Sequence, residues 1–139
     1  MRFVFDTNAV VSALLIEDSI SRRAFDRASD RGRFLLSLPV LAEINEVLGR
    51  EKFRKYITED EAKRFLAAFV RKAEWVEVNV KISASRDPSD NILLELAVSG
   101  EATHIITGDK DLLALSPFQG ILILPPGDFL QQLGLSVQV

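Results

Sequence analysis

Two aspartates each follow an apolar run of the kind that forms a buried strand. The run Arg2–Phe5 ends at Asp6, and the run Thr103–Thr107 leads through Gly108 into Asp109. Ligand sites of parallel sheets form beyond the carboxyl ends of the strands, so we expect both carboxylates at the same edge of a sheet. Carboxylate oxygens are the ligands that hard divalent cations such as Mg²⁺ and Mn²⁺ prefer.

Two further acids are expected to approach that edge from helices. Glu43 lies three residues after Val40 and four before Val47, on the flank of an apolar helical stripe, and therefore faces inward. Asp90 falls in the first turn of a helix that begins at Asp87. Carboxylates that converge must take up protons or bind cations, because each negative charge makes the others harder to ionise. The sequence therefore predicts a catalytic Mg²⁺ or Mn²⁺ site at these four acids.

Each of the four acids also has a structural interpretation. Asp6 and Asp109 suit turn or helix N-cap positions, and Asp90 suits the first turn of any helix because of the unpaired N–H groups there. Glu43 can form an ordinary ion pair with an arginine such as Arg50 or Arg71. The interpretation as a metal site depends on the convergence of all four carboxylates.

The rest of the composition leaves few other routes to catalysis. The sequence has no cysteine, which excludes disulfides, thiolate catalysis and cysteine-ligated zinc. Its single histidine, His104, cannot form a His-rich metal site, and we expect it to be a structural residue of a strand. The formal net charge of −3 argues against a broad cationic surface for nucleic acid, although bound cations would supply the positive charge that a phosphate needs.

Helical and strand patterns alternate along the chain. Strands are predicted at Arg2–Phe5, Phe34–Leu36, Trp75–Val80, Thr103–Thr107 and Ile121–Leu124. Helices are predicted at Ala9–Ile16, from Ile20 through Ala28, from Ser37 to Gly49, from Thr58 to Ala73, from Asp87 to Gly100 and around Phe129–Leu133. Alternating elements with apolar strands indicate an α/β fold in which helices cover both faces of a parallel sheet, in three layers.

The size of the chain fits one domain over residues 1–139, because a chain of this length with 47% hydrophobic residues can form a core alone. No apolar run approaches the roughly 20 residues that span a bilayer. The N-terminus lacks the basic region and cleavage site of a secretion signal. We therefore expect a cytoplasmic protein with no membrane partner.

Two segments resemble the first motifs of a known family of nucleases. The sequence V-F-D-T-N around Asp6 resembles the first motif of the PIN domain family, with Asp6 in the place of the first metal-binding acid and Asn8 or Thr7 in the supporting place. The sequence V-L-A-E-I around Glu43 is similar to the second motif, in which a helix bears the second acid. The family includes the toxins of bacterial and archaeal toxin-antitoxin pairs.

The other two motifs carry Asp90 and Asp109. The sequence R-D-P-S-D-N, followed by L-E-L-A, looks like the third motif of the toxin subgroup, with Asp90 in the place of the acid. Asn91 stands where some relatives carry another acid. The sequence T-G-D-K-D-L resembles the fourth motif, in which Asp109 is the usual ligand and Asp111 an accessory acid. Asp87 is a further accessory candidate, or a loop or cap residue.

The resemblance covers essentially the whole chain and implies an activity as well as a fold. It implies a PIN-like, five-stranded parallel sheet of flap-endonuclease type and a ribonuclease that depends on Mg²⁺ or Mn²⁺. It also implies an RNA substrate, a homodimer and an antitoxin partner. Asp6, Glu43, Asp90 and Asp109 would hold one or two ions that activate a water for attack on phosphorus. Thr107 and Asn8 would orient the carboxylates.

Two groups of basic residues are candidates for steering an RNA backbone. The groups are Arg22, Arg23 and Arg27, and Arg50, Lys52, Arg54 and Lys55. The structural interpretation of both groups, which the sequence favours, is that they lie on solvated helix faces.

Other functional classes remain open alternatives. A haloacid-dehalogenase-type phosphotransferase also begins with an acid after its first strand, but it needs a second Asp where this chain has Asn8. A phospho-receiver needs an acid at the end of a middle strand, and Trp75–Val80 ends with none. A catalytically inert PIN-like module that binds RNA or protein fits the same sequence. A nuclease should be stabilised by Mg²⁺ or Mn²⁺, because an acid cluster repels itself without a cation.

Overall fold

The computed structural model describes residues 1–134 of the chain. Within this range the strands are β1 (Arg2–Phe5), β2 (Arg33–Leu36), β3 (Glu74–Trp75), β4 (His104–Ile106) and β5 (Leu122–Leu124). The helices are α1 (Thr7–Leu15), α2 (Ile20–Arg31), α3 (Leu38–Leu48), α4 (Glu59–Lys72), α5 (Pro88–Ser99), α6 (Lys110–Leu113) and α7 (Pro126–Gln132), with a 3₁₀ turn at Glu51–Phe53. The expected single domain extends over residues 1–139, of which residues 135–139 lie outside the described range.

The strands within residues 1–134 form one parallel sheet in the order β3-β2-β1-β4-β5. β1 lies in the centre and pairs with β2 on one side and with β4 on the other. The prediction of an α/β fold with a five-stranded parallel sheet is confirmed for this part of the chain. Because β1 and β4 are adjacent and parallel, the residues that follow them, Asp6 and Asp109, leave the sheet at the same edge.

One face of the sheet is covered by aromatic packing with α2 and α4. Phe25 of α2 stacks on Phe34 of β2 with ring centroids 4.5 Å apart. Phe69 of α4 meets the Phe34 ring edge-on at 5.4 Å. Phe5 of β1 contacts Phe25, also at 5.4 Å. Aromatic pairs at such distances stabilise the core beyond the burial of their apolar area.

The helix α5 lies against the opposite face of the sheet. Successive residues of a strand point to opposite faces, so Leu35 points away from Phe34. A Cβ atom added at Gly100, where α5 ends, would lie 2.7 Å from Cδ1 of Leu35 and 2.9 Å from Cγ2 of Val76. Glycine therefore allows this close approach without displacing either side chain. Helices cover both faces, and the three-layer prediction is confirmed.

The predicted strand Trp75–Val80 is wrong beyond its first residue. The N–H of Val76 makes the last backbone hydrogen bond to β2. The N–H of Asn79 donates instead to the hydroxyl of Ser99, the last residue of α5, at 3.1 Å. Alternating side chains predict an extended segment, but they do not say whether a strand or a helix side chain binds its backbone.

Helix caps agree with the predicted boundaries. Ser37 and Gly49 flank α3, and Thr58 and Glu61 form a capping box at the start of α4. The sequence does not predict α6, because its four residues are too few to show a helical period. None of the helices in the described range combines the length and apolar character that a bilayer span needs.

Candidate functional site

Carboxylates from four segments line one cavity at the carboxyl end of the sheet. The four acids predicted from the sequence are Asp6, Glu43, Asp90 and Asp109. They follow β1, lie in α3, lie in the first turn of α5 and follow β4, respectively. Asn8 and Asp87, two of the predicted accessory residues, also line this cavity. The structure therefore brings all four acids together, and their role as metal ligands remains a prediction.

Asp6 is both a helix cap and a member of this acid cluster. Its Oδ1 accepts a hydrogen bond of 2.6 Å from the N–H of Ala9 and thereby caps α1. Its Oδ2 accepts a hydrogen bond from the hydroxyl of Thr107, which is fully buried. Burial raises the pKa of Asp6, the two hydrogen bonds lower this pKa, and the charges of Asp109 and Glu43 raise it again. The structural and functional interpretations of Asp6 are thus compatible.

Glu43 is half-buried and has a hydroxyl partner. Its Oε2 accepts a hydrogen bond of 2.9 Å from the hydroxyl of Thr7. The ion pair with Arg50 that the sequence allows is not formed. Arg50 instead pairs with Glu46, which lies one helical turn before it, at 2.9 Å. Glu43 therefore contributes negative charge to the cavity that this arginine does not neutralise.

Asp90 is only 4% exposed, although it lies at the start of a helix. Its Oδ2 accepts a hydrogen bond of 2.9 Å from the hydroxyl of Ser85. Burial raises the pKa of Asp90, the Ser85 hydrogen bond lowers it, and the charges of Asp109, Asp87 and Asp111 raise it. A general preference of acids for helix N-termini explains neither the burial of Asp90 nor its position close to other carboxylates.

Three of the acids near the cavity, Asp87, Asp109 and Asp111, lie at or next to a helix N-terminus. Asp87 caps α5, with its Oδ1 accepting a hydrogen bond of 2.9 Å from the N–H of Ser89. Asp109 caps α6 through the N–H of Asp111, at 2.8 Å. Carboxylate oxygens of Asp90, Asp109 and Asp111 lie within 4.8 Å of one another. A divalent cation therefore fits the spacing and the hard-oxygen chemistry of these donors.

Three of the four predicted ligands accept a hydrogen bond from a hydroxyl of another segment. The pairs are Thr107 with Asp6, Thr7 with Glu43, and Ser85 with Asp90. The sequence points to Thr107 and offers Thr7 as an alternative to Asn8, but it does not point to Ser85. A serine in an irregular segment five residues before an acid belongs to no period that a sequence pattern can reveal.

The predicted basic residues differ in whether they line the cavity. Arg50 is the one basic residue among the described residues that line the cavity. Lys52 and Lys55 lie over the rings of their neighbours Phe53 and Tyr56, each 5.1 Å from the ring centroid. Of the two predicted basic groups, only Arg50 lines the cavity within the described part of the chain.

His104 lies away from the cavity, in β4. Its Nε2 is 2.7 Å from Oε1 of Gln132 in α7, and its Nδ1 is 2.7 Å from Oγ1 of Thr103. Its ring packs against Phe3 and Phe129. Burial lowers the pKa of His104, which favours the neutral imidazole. These contacts fit the structural role expected for it.

Comparison with known proteins identifies a family and finds a similar fold among solved structures. A family model described as PIN domain matches residues 2–111, a range that contains all four acids. The chain is similar to a crystal structure of VapBC2 from Rickettsia felis bound to a DNA fragment from their promoter. The TM-score is 0.57 at 17% sequence identity, over 89% of this chain and 97% of that chain. No curated protein sequence matches the chain.

Proposed function

The chain belongs to the PIN domain family, and on that premise we propose that it is a divalent-metal-dependent endoribonuclease. It hydrolyses phosphodiester bonds of RNA and acts as the toxin of a toxin-antitoxin pair. A homodimer and an inhibiting antitoxin protein belong to the same proposal, which rests on the motifs that resemble the toxin subgroup. The observation that carries the nuclease activity is the convergence of four acids from separate segments in one cavity.

The residues of the cavity suit one or two Mg²⁺ or Mn²⁺ ions. Asp6, Glu43, Asp90 and Asp109 offer hard oxygen ligands, and Asp111 has an oxygen within reach of two of them. A divalent ion bound there would acidify a water for attack on phosphorus and offset the negative charge of the phosphate. Burial of Asp6 and Asp90 makes their ionised forms costly without a cation, which supports this assignment.

The chain's hydroxyl groups orient the carboxylates for this task. Thr107 accepts a hydrogen bond of 3.0 Å from the N–H of Asp109 and donates its own proton to Asp6. One hydroxyl thus links the residues that follow β1 and β4. Groups that fix ligand orientation in this way commonly change metal affinity or activity by 10- to 100-fold.

Arg50 is proposed to contact a phosphate of the RNA next to the bond that is cut. Its guanidinium is held by Glu46, with Nη2–Oε2 at 2.9 Å and Nε–Oε1 at 3.3 Å. A guanidinium presents a planar set of donors that matches phosphate oxygens. Arg50 lines the same cavity as the carboxylates but pairs with Glu46. Its guanidinium can therefore attract the RNA backbone without neutralising the metal ligands.

We expect Arg50→Ala to raise KM for RNA about 10-fold, the effect of losing one charged hydrogen bond, with kcat changed by less than about threefold. Steady-state cleavage of a short RNA measures both constants. Arg27→Ala is a matched control, because Arg27 forms a similar surface pair with Asp30, at 3.1 Å, and does not line the cavity. An unchanged KM in Arg50→Ala, or an equal rise in both variants, contradicts the assignment.

The proposed activity is tested with purified chain free of any antitoxin. We expect it to cleave RNA in the presence of Mg²⁺ or Mn²⁺, to stop in EDTA and to recover when the metal is returned. Intact RNA after incubation with either metal would favour an inert binding module. Cleavage that persists in EDTA would contradict a metal-dependent mechanism.

A further inference from the structure

An irregular segment after β3 is bound along α5 by side chains of that helix. We call residues 79–85 the strap, and we call Asn91, Glu95 and Ser99 the polar stripe of α5. The members of the stripe are four residues apart and therefore lie on one face of the helix. Each of them accepts a hydrogen bond from a backbone N–H of the strap. The pairs are Asn79 with Ser99 at 3.1 Å, Ile82 with Glu95 at 3.0 Å, and Ser85 with Asn91 at 2.9 Å.

At its last residue, Ser85, the strap is held by two hydrogen bonds with one side chain. Asn91 accepts from the N–H of Ser85 through Oδ1, and its Nδ2 donates to the carbonyl oxygen of Ser85 at 2.9 Å. This pair of bonds needs one acceptor and one donor on the same side chain. Asparagine supplies both, whereas an aspartate in the same place has no donor.

The hydroxyl of Ser85 then acts on Asp90. It accepts a hydrogen bond of 3.3 Å from the N–H of Asp87 and donates one of 2.9 Å to Oδ2 of Asp90. A hydroxyl can accept and donate at the same time, so the Ser85 hydroxyl accepts from this N–H while it donates its own proton to the carboxylate. Asn91 thus fixes the backbone of Ser85, and the side chain of Ser85 orients Asp90.

We propose that Asn91 is a positioning residue for the metal ligand Asp90 and acts through Ser85. Its amide fixes the backbone of Ser85, whose hydroxyl holds one oxygen of Asp90 and so presents this carboxylate to a cation in one orientation. The proposal rests on the proposed function, because it requires Asp90 to bind the metal.

Asn91→Asp separates positioning from simple electrostatics. The variant keeps the size of the side chain and an acceptor for the N–H of Ser85, but it sets a carboxylate oxygen against the carbonyl of Ser85. An added negative charge beside Asp90 should by itself strengthen cation binding. We expect the opposite, a loss of about 10-fold in Mn²⁺ affinity, because Ser85 is displaced. Mn²⁺ affinity equal to or tighter than that of the unaltered chain overturns the proposal.

A double-mutant cycle tests whether Asn91 acts through Ser85. Mn²⁺ affinity is measured by calorimetric titration of the purified chain without RNA, and folding is checked by thermal melting in EDTA. We expect Ser85→Ala and Asn91→Ala each to weaken binding about 10-fold, and the double variant to be no weaker than Ser85→Ala by more than about twofold. If the losses of Mn²⁺ affinity in the two single variants multiply in the double variant, Asn91 acts independently of Ser85, which contradicts the proposal. Ser85→Ala removes only a hydroxyl, so unchanged Mn²⁺ binding in that variant overturns the proposal even if an Asn91 variant fails to fold.

Ser99→Ala is the matched control, because it releases the far end of the strap and leaves the contacts of Asp90 intact. We expect its Mn²⁺ affinity to stay within about twofold of the unaltered chain, well short of the effect of an orienting group. Equal losses in Ser99→Ala and Asn91→Ala would mean that general loosening of the strap is responsible, which contradicts the proposal. Asp90→Asn separates failure of the proposed function from failure of this inference. If the unaltered chain binds Mn²⁺ no better than Asp90→Asn does, both the proposed function and this inference are overturned. If Asp90→Asn abolishes Mn²⁺ binding but the Ser85 and Asn91 variants bind Mn²⁺ as the unaltered chain does, this inference alone is overturned.

Discussion

Replacing Asp6 by Asn is expected to reduce metal-dependent RNA cleavage at least about 100-fold, since it removes an anionic ligand and not merely an orienting group. Asp6 follows the central strand and lies close enough to Asp109 and Glu43 for their charges to raise its pKa. Its replacement therefore removes a negative charge that lies close to two of the other predicted ligands. Cleavage of a labelled RNA at saturating Mn²⁺ measures the effect.

The Asp6→Asn variant should remain folded. Asparagine is as good an N-cap as aspartate, so its side-chain oxygen can still accept from the N–H of Ala9. The substitution also removes a buried charge, so the melting temperature in EDTA should be equal to or higher than that of the unaltered chain. Asp128→Asn, at an exposed acid in the first turn of α7, is the control and should retain full activity. More than about a hundredth of the original rate in Asp6→Asn would contradict its role as a metal ligand, because a smaller loss is what an orienting group alone would give.

Saturation with Mg²⁺ or Mn²⁺ is expected to stabilise the chain by about 2.7 kcal/mol at a free metal concentration 100 times Kd. For a chain of this size that corresponds to a rise of about 9 °C in melting temperature. Thermal melting with increasing Mn²⁺ measures it, and Asp6→Asn should lose more than half of the rise. Identical melting of the unaltered chain with Mn²⁺ and with EDTA would remove the main support for a metal site.

The same experiment has a pH dependence with a definite sign. Burial raises the pKa values of Asp6 and Asp90 above their ordinary value of 3.8, so the folded, metal-free chain binds protons at these groups more readily than the unfolded chain. Their contribution to stability is complete below the unfolded pKa and is lost as the pH rises through the folded pKa. Metal binding relieves the cost of the ionised form. The rise in melting temperature on metal addition should therefore be larger at neutral pH than at about pH 5.

The sequence predicts the acid cluster because general rules fix where Asp6 and Asp109 lie. Residues that follow adjacent parallel strands must leave the sheet at one edge, and helical spacing turns Glu43 inward. The alternative of an N-cap is correct as well for Asp6 and Asp109, since one carboxylate oxygen can cap a helix while the side chain still lines a cavity. Cap and ligand are not exclusive, and a sequence pattern for one does not argue against the other.

The parts that the sequence does not predict depend on contacts between side chains and irregular backbone. The polar spacing of Asn91, Glu95 and Ser99 is visible in the sequence, but the same spacing is typical of a solvated helix face. Only the path of the strap shows that this face binds backbone N–H groups. The same contacts explain why the alternating segment after Trp75 leaves the sheet. Ser85 could not be identified as a partner of Asp90 without knowing that path.

The central position of β1 bears on how the chain behaves while it is being synthesised. Phe3 of β1 pairs with His104 of β4, so the middle of the sheet joins segments from opposite ends of the described chain. Contacts between residues so distant in sequence form late, because a long loop must close first. The last of the four clustered acids, Asp109, also leaves the ribosome more than 100 residues after Asp6. A nascent chain therefore cannot assemble its acid cluster before Asp109 has left the ribosome.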